Sequence, residues 1–513
     1  MPDNTKDILI GVDVGATGIK VGFFDVEGNE LAVASQRNGP EPQPGGDPLW
    51  LTWGGEAIWR KICDCCRENL AEVGSANRIR GLSVTGFGVD GAPMARDGKQ
   101  LYPLSSWHCS RAVPQSNWLA GQIDPWRLYE ITGFHNYPIQ TINRLRWLRE
   151  NAPDVLDKAH KWLMIQDYIV HRFTGEFSTE ITIASTTTLL DLNTGQWCDE
   201  LFNLIGVDKA IFPPISRPGT VVGKIHKRAA QESGLPEGTP VVAGGHDCEI
   251  GALGAGVKDP DVFIDITGTW EMVIATLDRF APTREMFDRG IDTEAHAIPG
   301  QFLTQSLMIA GAVIEWVRNH FYGDEPPPVA YAEMIEESQA AGIGAKGVFV
   351  LPSFMRGMGP FQAHKSLGTI LGLTTTTQRG QIVRATMESL CYQLRQQIEV
   401  IECNTGARCR RLRTLGGVQK NEPWLQMKAD VTGRPIEVPR KQEVTLLGCA
   451  ILAGVGVGLY KDIRSALDSI DFPLDEYQPD AKHHEQYSQL FEMFATIPPS
   501  LSEPYRRIQK KFE

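Results

Sequence analysis

The strongest constraint in this chain is a local pattern that occurs twice. Ile8-Leu-Ile-Gly-Val12 is an apolar run, Asp13-Val-Gly-Ala-Thr-Gly18 is a polar turn with two glycines, and Ile19-Lys-Val-Gly-Phe-Phe24 is a second apolar run. Asp25-Val-Glu-Gly28 turns the chain again before Leu31–Ser35. Short apolar runs divided by glycine turns read as strands, and two joined this closely read as a hairpin, not as strand, turn and helix. A loop rich in proline and glycine covers Pro40–Pro48, helical spacing follows over Trp50–Val73, and Ile79–Thr85 is a strand closed by the glycine turn Gly86–Gly91. The second half repeats the pattern. Pro240–Gly244 leads into Gly245-His-Asp-Cys-Glu249, and Asp261–Ile266 leads into Thr267-Gly-Thr-Trp270. Arg413–Leu415 then runs into Gly416-Gly417, and Ile436–Val438 precedes a long apolar helix. These repeats predict an internally duplicated α/β protein. Its lobes would span 1–250 and 251–513, with the boundary near 250–258 and a helical tail at the end.

Composition enters as a set of exclusions. A chain of 513 residues can bury most of its unfolded surface without disulfide or metal staples. A net charge of −12 argues against a bulk nucleic-acid binder, which needs a basic face, but leaves room for a small anion held by backbone N–H groups. Val444–Tyr460 is uncharged, yet it falls short of the ~20 residues of a spanning helix and carries several glycines. A buried helix followed by a turn is expected there, and no membrane segment. The first residues show no basic, apolar or cleavage-site regions of a secretory signal, so a cytoplasmic protein is expected. Of the ten cysteines only Cys63, Cys65 and Cys66 cluster, and no paired Cys or His set at zinc spacing accompanies them. Reduced, structural cysteines are expected.

The glycine turns also carry chemistry. Asp13, Gly15, Thr17 and Lys20 place a carboxylate, a pliable backbone, a hydroxyl and a cation within eight residues, which are the parts a phosphate site needs. The turn is neither a Walker A loop nor a dinucleotide fingerprint. By itself it reads equally well as an ordinary hairpin turn. Thr267-Gly268-Thr269 offers two hydroxyls around a glycine, and Gly416-Gly417 with Asn421 is a third glycine turn. As a set they suit a nucleotide clamped between two lobes. His246 and Asp247 end a buried-looking strand, where Asp247 serves either as a base toward an alcohol or as a helix N-cap. Asp13 or Asp247 could hold magnesium, usually through water.

Asp13-x-Gly-x-Thr, Gly-His-Asp247, Thr-Gly-Thr269, and Gly-Gly417 with Asn421, Trp424, Gln426 and Ala429-Asp430, in this order and spacing, resemble the FGGY carbohydrate kinases. The resemblance covers about residues 8–470. Within the family, Val84–Gly91, Leu101–Cys109, Trp147–Asn151, His171–Phe177 and Gly268-Thr-Trp-Glu271 look most like the branch that phosphorylates L-fuculose, with rhamnulokinases the nearest rival. The resemblance implies two ribonuclease-H-like lobes, as in actin and hexokinase, around an interlobe active-site cleft. It implies a kinase using ATP and Mg2+ on a small sugar, with no nucleic acid or membrane partner. A homodimer is left open. In its terms Asp247 is the catalytic base, and Asp13 and Asp247 are the metal residues. Asp13, Gly15, Thr17, Lys20, Thr267, Gly268 and Thr269 lie along the phosphates. Gly416, Gly417 and Asn421 lie at the adenosine, and Gly88, Asp90, Trp107 and His246 line the sugar pocket.

Four positions depart from the family pattern. Val418 replaces the third glycine of the adenosine turn, which then reads Gly-Gly-Val-Gln-Lys-Asn421, and it restricts the backbone there. Ala16 replaces a threonine, His108 stands where the fuculose branch has lysine, and Gln362-Ala-His364 stands where many relatives have Ala-Arg-Gly. Two other readings compete with the kinase. A non-catalytic or chaperone-like ATPase of the same superfold would not need Gly-Val-Asp90 and Trp107. A sugar-responsive regulator would need a basic helix-turn-helix segment before the kinase-like region, and the sequence shows none.

Overall fold

The computed structural model describes residues 6–354 and 366–512. Gln362-Ala-His364 lies outside the described residues. The first lobe is built on a six-stranded sheet of β1 (Ile8–Val14), β2 (Gly18–Asp25), β3 (Glu30–Arg37), β4 (Ile79–Gly86), β5 (Val221–Lys224) and β6 (Pro240–His246), in the order β5-β6-β4-β1-β2-β3. The opening hairpin is present as β1 and β2, antiparallel, with Asp13 opposite Lys20. The strands β1, β4 and β6 run parallel, so Asp13, Gly86 and His246 arrive at one end of the sheet.

The second sheet holds β7 (Val262–Thr267), β8 (Trp270–Leu277), β9 (Ile291–Ala295), β10 (Phe302–Ile309), β11 (Arg411–Gly416), β12 (Ile436–Pro439) and β13 (Leu474–Tyr477). Its order is β9-β10-β8-β7-β11-β12-β13. Set β7, β8, β10, β11 and β12 beside β1, β2, β3, β4 and β6, and the two sheets share one topology over five strands, while the edge strand enters the chain before β6 in the first sheet and after β12 in the second. Each is an antiparallel meander, two parallel strands and an antiparallel edge. The duplication expected from the repeated turns is real, and β9 is an addition to the second copy.

One expected element begins later than its pattern. The helix α1 starts at Gly55, whereas Leu51–Trp53 is a short strand paired with Leu104–Ser105. Consecutive glycines at 54 and 55 break the helical run, and the indole of Trp53 is drawn inward to Asp90. Helix α1 (Gly55–Val73) covers one face of the first sheet. It buries Cys63, Cys65 and Cys66 there as free thiols, in accord with structural cysteines.

The two sheets are joined by an exchange of helices. Helix α2 (Asp247–Gly254) follows β6 of the first sheet, yet Cys248 and Ala252 pack with Val262, Ile264 and Leu415 of the second. Beyond α3 (Arg379–Thr405) and α4 (Glu422–Thr432), helix α5 (Val444–Gly456) follows β12 of the second sheet. It packs with Leu9 and Phe24 of the first. The uncharged run is thus a buried helix. α2 and α5 meet backbone to backbone: a Cβ at Gly448 would lie 2.0 Å from the Ile250 carbonyl oxygen, and one at Gly254 would lie 1.7 Å from that of Val444. Only glycine allows this approach.

The long insertion between β4 and β5 has a core of its own around Trp147, Trp162 and Phe202. It grips the added strand β9 residue by residue. Tyr129 donates to the Ile291 carbonyl (2.6 Å), the His135 N–H to Asp292 Oδ1 (2.9 Å), Thr293 N–H to the Gly133 carbonyl (2.8 Å) and Ala295 N–H to Ser185 Oγ (3.2 Å). The edge of the second sheet is therefore fastened to the first half of the chain. Among the described residues no helix is long and apolar enough to cross a membrane.

Candidate active site

The ends of β1 and β6 bring two acids together. Asp13 is the last but one residue of β1, and Asp247 opens α2 one residue beyond β6. Burial pushes the Asp13 carboxyl up to about 8, and the nearby Asp247 and Glu443 charges add to this against Lys20. Its Oδ1 is buried without a hydrogen-bond partner. Asp247 keeps 36% of its side chain exposed, so it is open to a ligand. The adjoining turn is tight, with Gly15 N–H donating to the Gly18 carbonyl (3.0 Å) and Thr17 exposed at its tip. Lys20 does not lie free beside it. Its ammonium holds both oxygens of Glu443, at 2.8 and 2.9 Å, just before α5.

The expected sugar-side residues form one cluster with a buried acid at its centre. Asp90 is fully buried, with Trp53 Nε1 (2.5 Å) and Trp107 N–H (3.0 Å) donating to Oδ2 and Arg144 Nη1 (2.5 Å) to Oδ1. Both Asp90 oxygens are engaged, and their bonds fix Trp53, Trp107 and Arg144. Val89 beside it has φ +62°, a left-handed conformation that is a true outlier for a β-branched residue. Such strain costs about 1–3 kcal/mol and collects at ligand sites. It is held by Thr186 Oγ1, which accepts from Val89 N–H (3.1 Å), and by Thr141 Oγ1, which donates to the Val89 carbonyl (2.7 Å). Gly88 lies buried against Thr186. Trp107 is half-buried and stacks on His108, with ring centroids 3.7 Å apart.

His246 sits between the acids and the second lobe. Its Nδ1 is 2.9 Å from Glu294 Oε2, and its Nε2 is 3.6 Å from Asp247 Oδ1. Burial disfavours its protonation, but Cys248 and Glu294 outweigh this and hold the imidazole above its ordinary range. Burial pushes the Cys248 thiol up to about 12 and keeps it neutral, so Glu294 is the charge that counts. Sequence reasoning missed Glu294. It lies mid-strand on β9, with no motif around it.

In the second lobe the two glycine turns abut. Thr267-Gly268-Thr269 joins β7 to β8, and Gly416 faces it with φ +92°, where a Cβ would lie 2.4 Å from the Thr267 carbonyl oxygen. Gly268, Thr269, Gly416 and Gly417 are exposed, although Gly268 N–H is already given to the Trp270 carbonyl (2.7 Å). Beside them is a cavity of about 400 Å³ whose walls include Ile314, Met334, Met387, Val418 and Trp424. Asn421 caps α4 through Trp424 N–H (3.2 Å) at its rim. The departure at Val418 therefore adds an apolar wall. The hydroxyl of Thr267 is turned inward to a buried lysine and so is not offered to phosphate, contrary to expectation.

Two carboxylates at the end of one sheet, a hydroxyl-glycine turn at the end of its copy and an apolar cavity alongside define a two-lobed phosphotransferase of the actin and hexokinase fold. Solved structures share that fold. The ligand-bound xylulose kinase of Lactobacillus acidophilus matches with TM-score 0.88 at 22% identity, over 98% of this chain and 100% of that one. The ADP complex of Plasmodium falciparum glycerol kinase matches with TM-score 0.83 at 20% identity, over 95% and 98%. The FGGY N-terminal domain model matches residues 8–254, and the C-terminal domain model matches 266–457. The chain belongs to the FGGY family of carbohydrate kinases and is a sugar kinase. The L-fuculokinase of Escherichia coli is 30% identical over 474 residues, 92% of this chain and 98% of that protein. The autoinducer-2 kinase of Yersinia enterocolitica is 30% identical over 503 residues, 94% and 92%.

Proposed function

We propose that the protein transfers the γ-phosphoryl group of ATP to the primary C1 hydroxyl of a 6-deoxy-ketohexose, with L-fuculose giving L-fuculose 1-phosphate as the leading case. The observation that carries the reading is the pair of acids at the same end of β1 and β6, the two strands that flank β4, one open and one with a buried, unpartnered oxygen. Asp247 takes the proton of the attacking hydroxyl, a role that needs an accessible carboxylate within hydrogen-bond reach. His246, anchored on Glu294, lies along the edge of that carboxylate and limits its rotation. Asp13 and Asp247 would hold Mg2+, and an orphaned oxygen beside a second carboxylate suits a hard cation with oxygen ligands. When bound, the ion offsets triphosphate charge. The cavity beside Gly417 and Asn421 takes the nucleoside, and the exposed backbone of Thr269 donates toward phosphate. Trp107 and Phe87 cover apolar faces of the sugar, including its methyl, on a wall that Asp90 holds still.

The likeness to L-fuculokinases over nine-tenths of the chain supports the acceptor. The likeness to an autoinducer-2 kinase over a slightly longer span supports autoinducer-2 as a second acceptor. A phosphorylation screen decides between them: L-fuculose, L-rhamnulose, L-ribulose, D-ribulose, both xyluloses, glycerol and autoinducer-2, read as acceptor-stimulated ADP release. A 6-deoxy-ketose is expected to lead. If D-xylulose, glycerol or autoinducer-2 exceeds every 6-deoxy-ketose tenfold, this acceptor is wrong and the kinase assignment alone survives.

A further inference from the structure

Beneath the Thr267–Thr269 turn lies a group of charges that the phosphoryl transfer does not itself require. Lys428 on α4 has no exposed side-chain surface, nor do Asp265 on β7 and Glu271 on β8. The ammonium donates to Asp265 Oδ2 (2.5 Å), Thr267 Oγ1 (2.6 Å) and Glu271 Oε1 (2.6 Å). Thr267 Oγ1 donates in turn to Asp265 Oδ1 (3.0 Å), and Thr414 Oγ1 donates to Asp265 Oδ2 (3.0 Å). Glu271 Oε2 is buried with no hydrogen-bond partner. Burying a lysine against two carboxylates is costly, and an apolar cluster of the same volume would often serve stability as well or better. A stability role alone therefore does not account for these residues.

Their placement does. The helix α4 carries Asn421 at its N-cap and Trp424 on the cavity wall, and Lys428 lies farther along the same helix. From there its three donors reach the two strands that the phosphate turn connects. Within the turn Gly268 N–H donates to the Trp270 carbonyl (2.7 Å), and the Gly268 and Thr269 carbonyls accept from Gly311 and Ala312, so the turn holds its own shape and takes its orientation from Thr267, whose hydroxyl Lys428 holds. We propose that Lys428 is a positioning residue of the transfer reaction, locking the strand that ends in Thr267 to the helix that carries the nucleotide pocket so that the exposed Thr269 end of the turn stays aimed at phosphate. The inference rests on the ATP-kinase reading.

The cluster also has a charge state. Burial pushes Glu271 up to about 7, with Lys428 pulling the other way and Asp265 adding to the rise. The groups facing it are Lys428 from α4, Asp265 from β7 and, from α3, the thiol of Cys391, which burial keeps neutral. Ionising Glu271 as pH rises adds negative charge under the phosphate turn, and nucleotide binding should weaken.

The test uses the full chain. Lys428→Met alone strands two buried carboxylates and invites misfolding, so the informative variant is Lys428→Met/Asp265→Asn/Glu271→Gln, which removes every formal charge and keeps the shapes. It should melt close to the parent, with KM for ATP raised about tenfold and KM for sugar within twofold, the split expected of a misaimed nucleotide site. A folded triple variant with the parent's KM for ATP and kcat overturns the proposal. Beside it, ADP binding is measured calorimetrically from pH 6 to 8.5 for the parent and for Glu271→Gln. The parent should lose affinity with rising pH more steeply than the variant, and parallel curves overturn the proposal even if the triple variant fails to fold. Absence of sugar-stimulated ADP release in the parent would instead strike at the kinase reading, because the calorimetric arm does not depend on turnover.

Discussion

Asp247 owes its exposure to the chain's direction. It is the first residue past a buried parallel strand, where the backbone leaves the sheet and the side chain meets the cleft instead of a neighbouring strand. Asp247→Asn keeps shape and removes the proton acceptor, so turnover should fall about 10²–10⁴-fold with nucleotide binding and melting temperature nearly unchanged. Turnover within a few-fold of the parent would remove Asp247 from the mechanism. Asp13→Ala should raise the magnesium concentration for half-maximal rate, and an unchanged magnesium titration would take Asp13 out of the metal site. Both acids drew notice in the sequence because each sits beside glycines at the end of an apolar run. Glu443, Glu294 and Lys428 were not, since their roles depend on partners far along the chain: Glu443 meets Lys20 across 423 residues, and Lys428 meets Asp265 across 163. Asp90 was legible as a special residue. Only the packed structure shows that both its oxygens are engaged.

At the scale of elements, strands and hairpins could be read because apolar runs and glycine turns are local signals, and β1, β2, β4, β7 and β11 lie within a residue or two of their expected ends. The added strand β9 could not be read in this way, because nothing in Ile291–Ala295 announces that its neighbours come from the insertion. The crossing of α2 over α5 could not be read either, although glycines at 254 and 448 were visible. Gly448→Ala tests that crossing. A methyl at 2.0 Å from a carbonyl oxygen forces the helices apart, and overpacking of this kind costs about 1–3 kcal/mol or more. Because α2 begins with Asp247 and α5 is preceded by Glu443, the variant should lose turnover as well as stability. Denaturant midpoint and kcat report the two effects, and a variant matching the parent in both would show that the helices have slack.

The whole molecule is two related sheets joined by the exchange of α2 and α5 and fastened again along β9. β9 ties the second lobe to the insertion of the first through bonds at four of its five residues, so a closing motion has to keep both joins. Closure would expel water from between Asp247 and the phosphate turns and limit wasteful hydrolysis of ATP. Small-angle scattering should show a smaller radius of gyration with sugar plus a non-hydrolysable nucleotide than with either absent. An unchanged radius would mean that the cleft works without closing. The duplication was legible from the repeated turns, but the seam was not, since it belongs to neither copy.

The exchange of α2 and α5 also bears on the history and handling of the chain. Each copy supplies the helix that roofs the other's sheet, so cutting the polypeptide near residue 255 would not yield two domains. Each fragment would keep a helix whose apolar face matches the absent partner and lack the one its own sheet needs. The ancestral single copy, if it folded, would have had to do so as a pair that traded helices across a two-fold axis.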